Sequence, residues 1–303
     1  MDSPLKILVT GKRGQVGWEL QRTLMPLGRV FAVDRESMNL ADSSAIVQTI
    51  AHLKPDVIVN AAAYTAVDKA ETEQALAMQI NGQAVQVLAE EAKKHKALLI
   101  HYSTDYVFDG TKSQPYSEND TTAPVNYYGV SKLAGEQAIQ TVASDYLILR
   151  TSWVYGNRGN NFLLTMLRLM QERETMAIVS DQYGTPTWAR FIAETTAHII
   201  KQALQEKAER LFTSGVYHLT ATGDTSWHGF AQMILQLAKK NAWQPELKIK
   251  TLDKTGTANY PTPAKRPLNS RMATEALCER FSLHLPVWDE ALALCMERLH
   301  EGD

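Results

Sequence analysis

The sequence predicts an α/β fold, a doubly wound parallel sheet with a smaller C-terminal lobe. Three observations lead there. Short apolar, β-branched runs alternate with amphipathic helical patterns through the first 150 residues. The first of these runs breaks at a glycine-rich turn that opens a helix. Beyond residue 150 the alternation loosens, although 303 residues leave ample chain for a second lobe. The expected division is 1–150 for the sheet domain and 151–303 for the lobe, with later segments of the lobe returning to the sheet.

Residues 5–10 read as a buried strand. They lead into Gly11-Lys12-Arg13-Gly14-Gln15-Val16-Gly17, after which Val16, Leu20, Leu24 and Leu27 recur at helical spacing. In this setting glycines let backbone N–H groups reach a pyrophosphate, and the helix start adds partial positive charge, as in Rossmann-type dinucleotide sites. The spacing is G-x-x-G-x-x-G, which a plain glycine-rich turn also satisfies. Strand 30–33 ends at Asp34, where an acid commonly bonds the adenosine ribose. Arg35 follows, and Lys12 and Arg13 offer cations to a 2′-phosphate. The acid favours NAD and the bases favour NADP, so both NADH and NADPH are expected to serve.

Residues 43–53 form a helix closed by Lys54-Pro55, and 56–60 a third strand. The small side chains of Asn60-Ala61-Ala62-Ala63-Tyr64-Thr65 would let a cofactor lie against the backbone, or simply pack tightly. Residues 68–95 are acidic, then helical. Strand 98–102 ends in Ser103-Thr104-Asp105-Tyr106-Val107-Phe108, which places hydroxyls at the same rim as the glycine loop. His101 reads as packed in the sheet. After an irregular loop over 109–124 comes a helix over 128–142, then strand 146–150.

That helix carries Tyr128 and Lys132, four residues apart and so on one face. A phenol titrates at about 10. A nearby ammonium should lower that value and make the pair a proton donor to a carbonyl. A surface Tyr and a solvated Lys would show the same spacing. In the second half, 162–172, 188–204, 227–240 and 288–299 read as helices and 176–179 and 216–219 as short strands. The proline-rich 260–267 cannot be helical.

Composition narrows the function. A net charge of −2 gives no case for nucleic acid. Two cysteines, Cys278 and Cys295, make neither a disulfide framework nor a Cys-x-x-Cys metal pair, so a reducing compartment is expected. The apolar run at residues 7–9 is too short for a signal peptide or a membrane span. The reading is cytoplasmic, with no membrane partner.

The glycine loop, Ser103-Thr104-Asp105 and Tyr128-x-x-x-Lys132, in that order, resemble the extended short-chain dehydrogenase/reductase family, whose members often act on nucleotide sugars. Further segments extend the likeness over nearly the whole chain: 59–68, Arg150-Thr151-Ser152-Trp153-Val154-Tyr155, Asp181-Gln182-Tyr183-Gly184-Thr185-Pro186-Thr187 and 263–271. The resemblance implies NAD(P)H-dependent reduction of the C4 ketone of a dTDP-sugar. Tyr128 would be the proton donor, Lys132 its activator and a ribose ligand, and Thr104 the third catalytic member. Gly11, Gly14, Gln15, Val16, Gly17, Asp34, Arg35, Asp42, Ser43, Ala62, Ala63, Tyr64, Thr65 and Tyr102 would hold the cofactor. Thr104, Asp105, Tyr106, Trp153, Gln182 and Arg266 would face the substrate. Tyr64 departs from relatives that carry His there. The resemblance also implies a homodimer, with magnesium at an acidic C-terminal contact; here Glu290 and Glu297 alone make no convincing ligand set. Two alternatives stay open: an epimerase or dehydratase that returns its NAD unchanged, and an NADP-binding regulatory subunit like the β-subunit of methionine adenosyltransferase.

Overall fold

The computed structural model describes residues 4–142, 145–240 and 246–301. In chain order the first half runs β1 (Lys6–Thr10), α1 (Gln15–Thr23), β2 (Arg29–Val33), α2 (Ser43–Leu53), β3 (Val57–Asn60), α3 (Val67–Ala70), α4 (Gln74–Met78), a π-helical turn (Gln79–Gln83), α5 (Ala84–His95), β4 (Leu98–Thr104), a 3₁₀ turn (Asp105–Val107), α6 (Tyr127–Val142) and β5 (Tyr146–Thr151). The second half adds β6 (Val154–Tyr155), α7 (Phe162–Glu172), β7 (Thr175–Val179), β8 (Tyr183–Gly184), β9 (Thr187–Trp188), α8 (Ala189–Glu209), β10 (Gly215–His218), β11 (Thr225–Ser226), α9 (Trp227–Lys240), β12 (Thr251–Thr255), α10 (Glu275–Phe281) and α11 (Trp288–Glu301).

Six strands form one all-parallel sheet in the order β10-β5-β4-β3-β1-β2. The doubly wound fold is as expected, and alternation along the strands explains it. Ile7, Val9, Val57, Val59, Leu147 and Leu149 point to one face, under α1, α8 and α10. Leu8, Ile58, Leu99 and Ile148 point to the other, under α2, α5 and α6. A sheet covered on both faces needs such continuous apolar runs. A second core, around Tyr155, Phe230 and Met296, joins α7, α9 and α11. No described helix is long and apolar enough to cross a membrane.

The strand expected over 176–179 is present, but its partner was not foreseen. The strand at 175–179 stays out of the main sheet and pairs in parallel with β12. The sequence of β12, Thr251-Leu252-Asp253-Lys254-Thr255, is mostly exposed and carries no apolar signal. The helix expected over the latter part of 68–95 runs through the π turn, which contributes Asn81. From beyond residue 150, β10 lies on β5, and α8 and α10 help bury the first face of the sheet.

Candidate active site

The C-terminal ends of β1, β3, β4 and β5 form one rim. At β1 the chain turns through Gly11 at φ +73°, which favours glycine. A Cβ there would stand 2.9 Å from the Ala61 carbonyl oxygen. Gly17 permits close packing of α1, since its Cβ would lie 2.1 Å from the Gly11 oxygen. Beside this turn opens a cavity of about 880 Å³, lined among others by Gly11, Gly14, Asp34, Arg35, Ala62, Ala63, Tyr64 and Thr65. An elongated ligand with phosphates fits such a cradle.

Asp34 ends β2 at this cavity. Arg13 Nε stands 2.8 Å and Lys12 Nζ 3.2 Å from its Oδ2. Burial opposes ionisation, but Ser37, Lys12 and Arg13 outweigh it and hold the carboxyl at about 2. The acid and the bases that argued for different cofactors are thus paired with each other.

Other expected cofactor residues lie elsewhere. Val16 packs against the core. Gln15 Nε2 reaches the Val154 carbonyl at 3.4 Å. Asp42 caps α2 by accepting from the N–H groups of Ser44 and Ala45, which explains its lowered pKa. Ser43 borders a separate shallow depression on α2 and α5. Tyr102 turns its hydroxyl to Thr196 at 2.7 Å, in the core. Only its carbonyl faces the site, accepting from Lys132 Nζ at 2.6 Å.

Two close contacts seat α6. Gly129 faces the Tyr106 carbonyl oxygen, 2.2 Å from where its Cβ would be, and Gly135 likewise faces the Asn81 oxygen at 2.2 Å. Asn81 also binds Tyr64 and Ser131. This residue was missed; an Asn-Gly pair inside a helical pattern was its only signal. One turn beyond Lys132, Glu136 pairs with Arg150 of β5 at 2.6 Å.

Thr104, Tyr128 and Lys132 come together at the rim. The Thr104 side chain lies beside the Tyr128 phenol and donates to Asp105 Oδ1 at 3.0 Å. Asp105 is 3% exposed, and burial lifts its pKa to about 6 against the pull of Ser270 and Thr104. The expected lowering of Tyr128 by Lys132 does not occur. Burial and the charge of Asp105 raise the phenol instead, and Thr104 offsets them only in part. Lys132 Nζ stands against the Tyr102 carbonyl and His101 Nε2 instead, and burial lowers Lys132 to about 8. Tyr106 meets Tyr128 edge-to-face at 5.6 Å. Arg266 forks onto Asp68 at 3.1 and 3.0 Å and lies against Tyr106. It therefore ties the proline-rich strap to the rim.

Trp153, at φ +46°, stacks on Trp227 with ring centroids 3.5 Å apart. Gln182 is buried and spends both ends of its amide, donating to Thr257 and accepting from Trp227. Its side chain supports the tryptophan pair. Glu290 and Glu297 are both exposed. Among the described residues no group of three or more His, Cys, Asp or Glu could hold a metal ion.

The model of the RmlD substrate binding domain family matches residues 5–301. The chain belongs to this family. It is 52% identical over 295 residues to the dTDP-4-dehydrorhamnose reductase of Burkholderia thailandensis, covering 97% of this chain and 99% of that one. It is 46% identical to the Escherichia coli K12 enzyme of the same name, covering 97% and 98%. Among solved structures, the Bacillus anthracis dTDP-4-dehydrorhamnose reductase in complex with NADP superposes with a TM-score of 0.87 at 33% identity, over 97% of this chain and 99% of that one. A Thermus thermophilus UDP-glucose 4-epimerase complexed with NAD shares the fold, with a TM-score of 0.76 at 15% identity over 99% and 100%. In this RmlD-family chain, the positive-φ Gly11, the cradle beside it and the charged groups around Asp34 all fit a nicotinamide dinucleotide.

Proposed function

We propose that this chain reduces the C4 ketone of dTDP-4-dehydro-β-L-rhamnose to give dTDP-β-L-rhamnose, the last step in making that sugar nucleotide, using NADPH or NADH. The observation that carries the reading is Thr104, Tyr128 and Lys132 assembled at one strand-end rim, in a chain of the reductase family.

Gly11, Gly14, Ala62 and Ala63 would hold the dinucleotide, with Asp34, Lys12 and Arg13 around its adenosine end and Lys132 near its ribose. Bound there, the cofactor supplies the hydride that reduces the ketone carbon. Tyr128 gives its proton to the carbonyl oxygen as negative charge builds there. Burial keeps the phenol protonated at neutral pH, so the proton is in place until the charge growing on the carbonyl oxygen draws it off. Lys132 as an ammonium steadies the phenolate that remains. Thr104 bonds the same oxygen once its hydroxyl turns from Asp105. Tyr106 and Trp153 flank the sugar, and Arg266 holds Tyr106 in place.

The test follows absorbance of NADPH with dTDP-4-keto sugars that differ only in the sugar. One cofactor should be consumed per product, and Tyr128→Phe should lose about 10²–10⁴-fold in turnover while binding NADPH normally. Product formed without net cofactor consumption would point to an epimerase. Near-normal turnover by Tyr128→Phe removes Tyr128 from the reaction.

A further inference from the structure

Three polar residues stand in register on neighbouring strands: Thr10 on β1, Asn60 on β3 and His101 on β4. Each is 1% exposed. A hydrogen-bond row crosses the sheet through them and ends at Lys132. The Ala62 N–H donates to Thr10 Oγ1 at 3.0 Å. The Thr10 hydroxyl donates to Asn60 Oδ1 at 2.6 Å. With its oxygen engaged, Asn60 turns its amide nitrogen to His101 Nδ1 at 3.0 Å. His101 Nε2 stands 3.2 Å from Lys132 Nζ.

The direction of the row has a consequence. A neutral imidazole has one donor and one acceptor. Burial, and then the charge of Lys132, keep His101 neutral. Since Nδ1 accepts from Asn60, the ring proton sits on Nε2 and points at Nζ. Against an amine that N–H makes a hydrogen bond. Against an ammonium it faces another donor.

We propose that Thr10, Asn60 and His101 are positioning residues that aim an imidazole N–H at Lys132 Nζ and so favour the amine over the ammonium. For Lys132 to be protonated, His101 must move its proton to Nδ1 and Asn60 must turn its amide. The row thereby links the charge of Lys132 to the cofactor cradle, where Thr10 and Ala62 line the cavity.

On α6, Glu136 favours the ammonium, but Arg150 of β5 already pairs with it. From the 3₁₀ turn, Asp105 and Tyr106 lie against Tyr128. Near α3, Asp68 is paired with Arg266, and Glu71 accepts from the Tyr127 N–H. Lys93 of α5 binds the Val142 carbonyl at the far end of α6.

The proposal rests on the role given above to Lys132, and its test separates the two. Long-range ¹H–¹⁵N spectra of the full chain with ¹⁵N-labelled histidine report the His101 tautomer without any turnover, the signal being assigned by its loss in His101→Gln. Between about pH 6 and about pH 10 the ring should stay neutral, while its proton passes from Nδ1 to Nε2 as Lys132 loses its own. Lys132→Met should show one tautomer throughout. A wild-type tautomer that never changes, or one that changes equally in Lys132→Met, overturns the proposal.

Turnover gives the second arm. In His101→Gln the side-chain oxygen can accept from the ammonium, so the alkaline limb of kcat should move up by roughly one pH unit, a tenfold change in proton affinity. Asn60→Ala, which frees Nδ1, should move it the same way. A uniform fall in kcat with the limb unmoved marks a merely structural role and overturns the proposal. If Lys132→Met instead keeps wild-type turnover, the catalytic reading of Lys132 fails, while the tautomer result still decides the row.

Discussion

At the residue scale, environment decides chemistry that spacing only suggests. Tyr128 and Lys132 lie one helical turn apart, yet burial dominates both: with the charge of Asp105 it raises the phenol, and it lowers the amine, whose Nζ stands against the Tyr102 carbonyl and His101 of β4. Asp105 carries a consequence for stability. It ionises at about 6 in the folded chain, against roughly 3.9 when unfolded. Between those values the folded chain binds more protons, so stability falls as pH rises through the window and stays lower above it. At neutral pH the penalty is up to about 3 kcal/mol. Asp105→Asn keeps an acceptor for Thr104 without the buried charge. Its melting temperature should exceed wild type at about pH 7.5, and the gap should close towards pH 4; a gap that persists at low pH would contradict this account.

At the element scale, α6 is the part that must be placed accurately, and small residues place it. Gly135 lets it settle against the π turn, where Asn81 holds Tyr64 and Ser131. In Gly135→Ala the new methyl meets a backbone carbonyl, which has no rotamer to yield with. Urea unfolding should show a loss of about 1–3 kcal/mol. Gly14→Ala makes a useful contrast. Its Cβ would lie 3.3 Å from the Gly11 oxygen, and the residue lines the cavity. That variant should unfold within about 1 kcal/mol of wild type and show a raised KM for NADPH.

At the scale of the whole molecule, the sheet domain is not closed by the first 150 residues. β10 supplies the sixth strand, and Ile192, Ile199 and Ile200 of α8 are buried in the core with Ile7 and Val57. A fragment ending at residue 150 would expose that apolar face and the open edge of β5. It should bind ANS and unfold without a cooperative transition by circular dichroism. A sharp transition in the fragment would show that the later segments are dispensable to the sheet.

The sequence by itself determined the alternating strands and helices, the glycine turn and the order of Thr104, Tyr128 and Lys132. These are signals of local period and spacing, which a single chain states directly. It did not show β12, whose residues are polar and mostly exposed, or the π turn, whose Asn81 matters through its partners. Only the tertiary structure decided that Asp42 caps a helix, that Tyr102 faces the core and that Lys12 and Arg13 neutralise Asp34. It alone placed His101 beside Lys132. Each of these depends on which neighbour arrives across the sheet from a distant part of the chain, and that proximity, with the burial it brings, sets the protonation states on which the reaction depends.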